Sequence, residues 1–135
     1  MQRMIFVNLP VSDLVASMAF YEALGFTNNP QFTDATAACM VWSEAIYVML
    51  LTHDKWRNFT DRPIAPTGSS EVSLALALDS RAAVDAMIEA AAANGGTGDA
   101  NPVQELGFMY GRDLTDPDGH IWGPFWMDKS AIPAG

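Results

Sequence analysis

The sequence shows few arrangements of side chains that are typical of nucleophilic or metal chemistry. The candidate metal ligands are His53, His120, Asp54 and Asp118, and none of them shows the paired spacing of a known zinc motif. The single cysteine, Cys39, lies in an apolar run without a neighbouring lysine, arginine or histidine to lower its pKa. We therefore predict no catalytic residue and no metal-binding residue.

The composition argues against several classes of function. The chain has 135 residues, 50% of them hydrophobic, which suits one globular domain. Its formal net charge of −9 repels nucleic acid and anionic membranes. No apolar run approaches the roughly 20 residues of a membrane span, no secretory signal is seen, and one cysteine cannot form an internal disulfide. These features predict a cytoplasmic protein that binds neither nucleic acid nor membranes.

The same order of predicted elements occurs twice along the chain. In the first half the hydrophobic pattern predicts a strand closed by Pro10, a helix with Ser12 as its N-cap, and three further extended segments. In the second half it predicts a strand, a helix with Ser80 as its N-cap, and three extended segments again. Pro124 is expected to distort or end the last strand, because proline cannot donate to a ladder. The segments, in chain order, are 4–9, 14–24, 26–32, 37–42 and 45–51, then 72–78, 84–91, 102–106, 108–114 and 120–127.

Placing Phe6 on Ser73 brings the two helix starts close together, which indicates an internal repeat. We predict one domain over residues 1–135, in which a βαβββ module at 1–52 is followed by a second at 71–129. Residues 53–70 form a linker or a lid, with a short helix near 54–59, and residues 130–135 form a tail.

Two motifs resemble a known superfamily. Val11-Ser12-Asp13-Leu14, together with Leu24-Gly25-Phe26, is similar to the opening of a module in the glyoxalase/bleomycin-resistance/extradiol dioxygenase (vicinal oxygen chelate) superfamily. Asp116-Pro117-Asp118-Gly119-His120 resembles the closing segment of such a module, and the nearest resemblance is to small glyoxalase-related proteins. The resemblance implies an α+β fold in which two βαβββ modules form curved mixed β-sheets around a cavity, and it implies a homodimer.

The resemblance also indicates where a metal ion would be bound. In metal-dependent members the ligands come from the first and last strands of each module. The matching positions here are Phe6, Met49, Ser73 and Gly123. These offer a hard divalent ion at most a hydroxyl group, so we expect no metal or other cofactor.

A cavity rich in aromatic residues and poor in metal ligands favours binding over catalysis. We expect a small organic ligand in the sheet cavity. Two alternatives stay open: a metal-dependent lyase of the glyoxalase type or a dioxygenase, and a scaffold protein whose filled core leaves no pocket. The expected ligand-binding residues are Phe6, Asn8, Trp42, Met49, Ser73, Phe108, Tyr110 and Trp122.

Overall fold

The computed structural model describes residues 2–131, which divide into two compact units after Thr67. We call these units the first and second module and describe each by itself. The division falls inside the segment 53–70. Of the expected tail at 130–135, only Ser130 and Ala131 lie within the described residues.

The first module is a βαβββ unit followed by one short helix. The elements are β1 (Ile5–Val11), α1 (Leu14–Leu24), β2 (Thr27–Asn29), β3 (Ala37–Val41), β4 (Ile46–Thr52) and α2 (His53–Arg57), with a 3₁₀ turn at Pro30–Phe32. The four-stranded sheet has the order β1-β4-β3-β2, with β1 parallel to β4 and the other neighbours antiparallel.

Helix α1 is capped one residue later than the sequence predicts. Its N-cap is Asp13, whose side chain accepts a hydrogen bond from the backbone N–H of Ala16 at 3.1 Å, so the prediction of Ser12 as the cap was wrong. Both residue types can cap a helix, and the carboxylate also suits the positive end of the helix dipole. At the other end Gly25 takes a φ of +111°, a conformation that glycine adopts without a steric penalty.

Pro10 does not close β1, contrary to the sequence-based expectation. The strand continues through Pro10 to Val11, and Pro10 pairs with Leu51 in the parallel register of β1 and β4. Since β1 lies at the edge of its sheet, only one of its sides is paired, and an edge strand tolerates a missing N–H donor.

The second module contains the same βαβββ order, with its second and third strands each in two pieces. The elements are β5 (Ser73–Ala77), α3 (Arg81–Ala93), β6 (Thr97–Gly98), β7 (Gln104–Glu105), β8 (Met109–Gly111), β9 (Leu114–Thr115) and β10 (Ile121–Met127). β5 is parallel to β10, and β8 and β9 pair with β10 in a single antiparallel register, so they are two halves of one strand. The second strand is divided as well, since β6 pairs with β9 and β7 pairs with β8.

Pro124 explains the interruption of the third strand. β10 itself runs on through Pro124, so the last strand does not end there, which was one of the two outcomes expected of this proline. Arg112, which faces Pro124 across the ladder, donates its N–H to the proline carbonyl at 3.2 Å. Because proline has no N–H, it cannot return the bond, and the neighbouring strand breaks at Arg112 and Asp113 instead.

The internal repeat is regular in its details. The offset that places Phe6 on Ser73 also places the N-cap Asp13 on the second N-cap, Ser80, which confirms the prediction for Ser80. It also places Asn8 on Ala75. Asn8 pairs with Met49 in the first sheet and Ala75 pairs with Gly123 in the second, so Met49 and Gly123 occupy equivalent positions.

Candidate functional site

The first module has a pocket of about 370 Å³ on the face of its sheet that α1 leaves open. Side chains alternate between the faces of a strand. Met40, Val48 and Leu50 are fully buried on the helix side of the sheet. The residues that alternate with them on the same strands face the pocket. The lining residues are Met4, Phe6, Asn29, Phe32, Cys39, Tyr47 and Met49.

One row of side chains crosses all four strands of this sheet. The pairing register aligns Asn8 with Met49, Met49 with Cys39, and Cys39 with Asn29. The backbone hydrogen bond from Trp42 to Ile46 marks the hydrogen-bonded pairs of β3 and β4. Cys39 and Met49 therefore form a non-hydrogen-bonded pair, the kind whose side chains approach most closely. The row has sulfur at its centre and a carboxamide at each end.

A stacked pair of aromatic rings forms one wall of this pocket. The rings of Phe6 and Tyr47 lie 4.5 Å apart between centroids and only 9° from parallel. Phe6 is 51% exposed, although apolar rings usually gain by burial. The Tyr47 hydroxyl donates to the carbonyl of Glu44 at 2.8 Å, so the pair presents carbon to the pocket.

Cys39 lines the pocket with little exposure, since only 2% of the residue is accessible. Burial raises the pKa of its thiol, because an apolar environment disfavours the thiolate. The thiolate is the nucleophilic form of cysteine. The environment of Cys39 therefore does not favour covalent catalysis.

The second module has its own pocket, of about 290 Å³, on the face of the sheet that α3 leaves open. A Cβ atom added at Gly123 would lie 2.8 Å from Oδ1 of Asp113, so the carboxyl group occupies the space that a side chain at 123 would need. The lining residues are Ser73, Ala75, Pro102, Gln104, Met109, Gly111, Asp113, Gly123, Pro124, Phe125 and Met127.

The residues at the superfamily's metal positions do not fit a divalent ion. Phe6 and Met49 line the first pocket, and Ser73 and Gly123 line the second. Phenyl, thioether and glycine positions supply no hard ligand, and Asp113 blocks a longer side chain at 123. Among residues 2–131, no group of three or more His, Cys, Asp or Glu side chains could hold a metal ion.

Three of the expected ligand-binding aromatics lie on the helix sides of their sheets. Trp42 packs on Phe26 with centroids 4.9 Å apart, Trp122 is buried, and the Tyr110 hydroxyl donates to Asp85 of α3 at 2.6 Å. Their position follows from strand alternation, which places Trp122 opposite Gly123.

The other expected ligand-binding residues divide between the two pockets and their surroundings. Phe6 and Met49 line the first pocket, Ser73 lines the second, and Asn8 is an exposed end of the row in the first sheet. Phe108 is exposed in the loop before β8.

Several pocket residues were missed by sequence reasoning. Tyr47 could have been found, because it is two residues from Met49 on the same predicted strand. Asn29 and Phe32 could not, since their places depend on the pairing of β2 with β3 and on the 3₁₀ turn that follows. Asp113 was missed because it lies at the strand break.

On the helix side of the second sheet, Arg112 joins the broken strand to α3. Its guanidinium contacts Asp85 at 2.8 Å and Asp99 at 2.6 Å. Hydrogen bonds from Tyr110 and then Arg112 lower the pKa of Asp85, and those from Arg112 lower the pKa of Asp99. The same network raises the pKa values of Tyr110 and Arg112. This cluster stabilises the second module on the helix side of its sheet, away from the second pocket.

Comparison with known proteins finds a matching family model and similar solved structures. Residues 3–43 match the family model described as bleomycin resistance protein-like N-terminal. A glyoxalase/bleomycin resistance protein from Albidiferax ferrireducens is 26% identical, with a TM-score of 0.68 over 90% of this chain and 95% of that one. The chain is therefore similar to the superfamily that its motifs resemble, the vicinal oxygen chelate proteins. No curated protein sequence matches it significantly.

More distant relatives share the fold. A glyoxalase-related enzyme from Fulvimarina pelagi is 20% identical, with a TM-score of 0.78 over 100% of this chain and 94% of that one. A bleomycin resistance determinant encoded on the transposon Tn5 is 21% identical, with a TM-score of 0.63 over 94% and 99%. These two structures confirm the predicted α+β fold of two βαβββ modules with curved mixed sheets. None of the described helices is both long enough and apolar enough to cross a membrane.

Proposed function

We propose that this chain is a member of the vicinal oxygen chelate superfamily. We propose further that it binds a small organic molecule on the open faces of its sheets and does so without a metal ion. The observation that supports it best is the first pocket, where an exposed, stacked pair of Phe6 and Tyr47 stands beside the sulfur row of Cys39 and Met49. A concave apolar surface with few polar groups is typical of small-molecule sites.

The polar groups around this pocket can orient such a ligand. The Asn29 side-chain oxygen accepts from the N–H of Gln31 at 3.0 Å, which leaves the amide N–H₂ group to donate. Asn8 lies at the other end of the row, about 14 Å away at the usual strand spacing. We infer a flat, largely apolar ligand that carries a hydrogen-bond acceptor.

The two alternatives have less support. A lyase or dioxygenase of the superfamily would need a metal ion, and Phe6, Met49, Ser73 and Gly123 do not supply its ligands. A scaffold with a filled core would need no pocket of several hundred cubic ångströms. Elemental analysis of the purified protein tests the first alternative, since one tightly held transition metal per chain would favour it over our proposal.

We also propose that the protein is a cytoplasmic homodimer and that residues 53–70 act as a linker or a lid. The superfamily resemblance supports the dimer, and the single cysteine supports a reducing compartment. Light scattering on a sizing column measures the mass directly, and a single-chain mass at micromolar concentration would refute the dimer.

Binding can be tested with phenylnaphthylamine, a neutral aromatic probe whose fluorescence rises in apolar sites. We expect saturable binding with a dissociation constant of about 1 mM or tighter, given the usual binding energy per ligand atom. Phe6→Ala removes one ring of the stacked pair and should weaken binding about five- to thirtyfold, since burial of a ring contributes about 1–2 kcal/mol.

The matched control is Phe59→Ala. Phe59 is an exposed ring outside the pocket, so this variant removes the same atoms elsewhere and should leave binding unchanged. Equal effects of the two substitutions, or the absence of saturable binding, would contradict the proposal.

A further inference from the structure

The second pocket differs from the first in containing a carboxylate. Asp113 places Oδ1 above the backbone of Gly123, where every other residue type would place a side chain. The rest of the lining is largely apolar and includes Met109, Phe125 and Met127.

The local fold holds this carboxylate in position. Asp113 lies at the break between β8 and β9, and its carbonyl accepts from the N–H of Ala100 at 2.9 Å. Its Oδ2 accepts from the side-chain amide of Asn101 at 2.8 Å. One oxygen is thus fixed from outside the pocket while the other lies over Gly123.

Asp113 has no cationic partner in the part of the chain that the structure describes. The nearest guanidinium in sequence, that of Arg112, is on the opposite face of the sheet and pairs with Asp85 and Asp99. None of the ion pairs formed by residues 2–131 includes Asp113. A carboxylate beside apolar side chains gains by pairing with a cation and a charge-assisted hydrogen bond.

We propose that the second pocket binds the protonated amine of a small organic molecule through Asp113, with the carbon skeleton of the ligand against Met109, Phe125 and Met127. This inference rests on the proposed function in one respect, namely that the open sheet faces bind small molecules. It adds a second site of different chemistry, in which Gly123 provides the space that Asp113 needs.

The test uses two probes of nearly equal shape, phenethylammonium chloride and phenethyl alcohol, titrated into the full-length protein and followed by amide NMR. We expect the ammonium probe to shift the amides of Gly111 and Gly123 and to bind about tenfold more tightly than the alcohol, the usual gain from one charge-assisted hydrogen bond. Asp113→Asn keeps the shape and should abolish this preference.

Two further variants make the test specific. Asp61→Asn removes the same charge from an exposed position outside the pocket and should leave the tenfold preference intact. Gly123→Ala adds a methyl group that would meet Oδ1 of Asp113 at 2.8 Å, so it should displace the carboxylate and reduce the preference while the protein stays folded.

The possible failures can be told apart. Equal binding of the two probes to the unmodified protein, or equal losses in Asp113→Asn and Asp61→Asn, would overturn the role of Asp113 but leave the proposed function standing. If neither probe shifts the amides of either pocket, and phenylnaphthylamine also fails to bind, both proposals fall.

Discussion

Introducing a glutamate at position 123 should destabilise the protein, and the structure indicates by how much. Gly123→Glu would place a Cβ atom 2.8 Å from Oδ1 of Asp113, well inside ordinary contact. The Asp113 carboxylate must then move and lose its hydrogen bond to Asn101, at a cost of about 1 kcal/mol for a partly exposed group. Two carboxylates within about 5 Å of each other add about 1 kcal/mol at a dielectric constant close to that of water, and residual crowding adds about 1 kcal/mol.

The expected loss is therefore about 2–3 kcal/mol in the free energy of unfolding, which corresponds to a fall in Tm of about 6–10 °C for a chain of this size. Urea denaturation and thermal melts measure both quantities. The matched control is Gly68→Glu, because a Cβ at Gly68 meets nothing within 4 Å. It should change the stability by less than about 0.5 kcal/mol.

A double-mutant cycle identifies the cause. Asp113→Ala should relieve most of the penalty, so that Asp113→Ala/Gly123→Glu is more stable than additivity predicts by at least about 1.5 kcal/mol. If Gly123→Glu lowers the stability no more than Gly68→Glu, or if the cycle shows no coupling, the steric argument against a metal-binding side chain at position 123 is refuted.

Three further predictions concern other parts of the chain. Asp13→Ala should lower the free energy of unfolding by about 1 kcal/mol through loss of the α1 cap, as measured by urea denaturation. The lowered pKa values of Asp85 and Asp99 mean that their contribution to stability is complete above the ordinary carboxyl pKa and is lost as the pH falls through their folded-state values. Arg112→Met should lower the free energy of unfolding by about 1–2 kcal/mol near pH 7 and by much less in acid, where the two carboxyl groups are protonated. Parallel profiles of unfolding free energy against pH for the two proteins would contradict this. Cys39 should react with a thiol reagent much more slowly than free cysteine at about pH 8, because burial raises its pKa; reaction at the free-thiol rate in the native protein would refute this.

The sequence predicted the elements of the fold better than their ends. The repeat and the α+β fold could be predicted because strand alternation, helix periodicity and turn residues agree in both halves. The errors at Pro10 and Pro124 have a common cause. Each was judged from the local preference of one residue, whereas the outcome depends on which neighbour is paired, and pairing is a tertiary property.

The candidate site was harder to predict than the fold. Phe6 and Met49 were found because the superfamily positions point to them, and Ser73 was found in the same way. Trp122 and Tyr110 were expected in the site because they are large and aromatic. Their side of the sheet depends on the register of β10 with its neighbours, which composition does not reveal.

The internal repeat shows how two pockets of different chemistry arise from one framework. Met49 and Gly123 are equivalent positions, and the residues that face them across the antiparallel ladder, Cys39 and Asp113, are therefore equivalent too. In the first module the long side chain is on the last strand and the short one is opposite it. In the second module the position on the last strand is Gly123, which has no side chain, and Asp113 on the opposite strand places its carboxylate in that space. The two modules thus share a backbone plan while one presents sulfur and aromatic carbon and the other presents a negative charge, which is why we assign them ligands of different kinds.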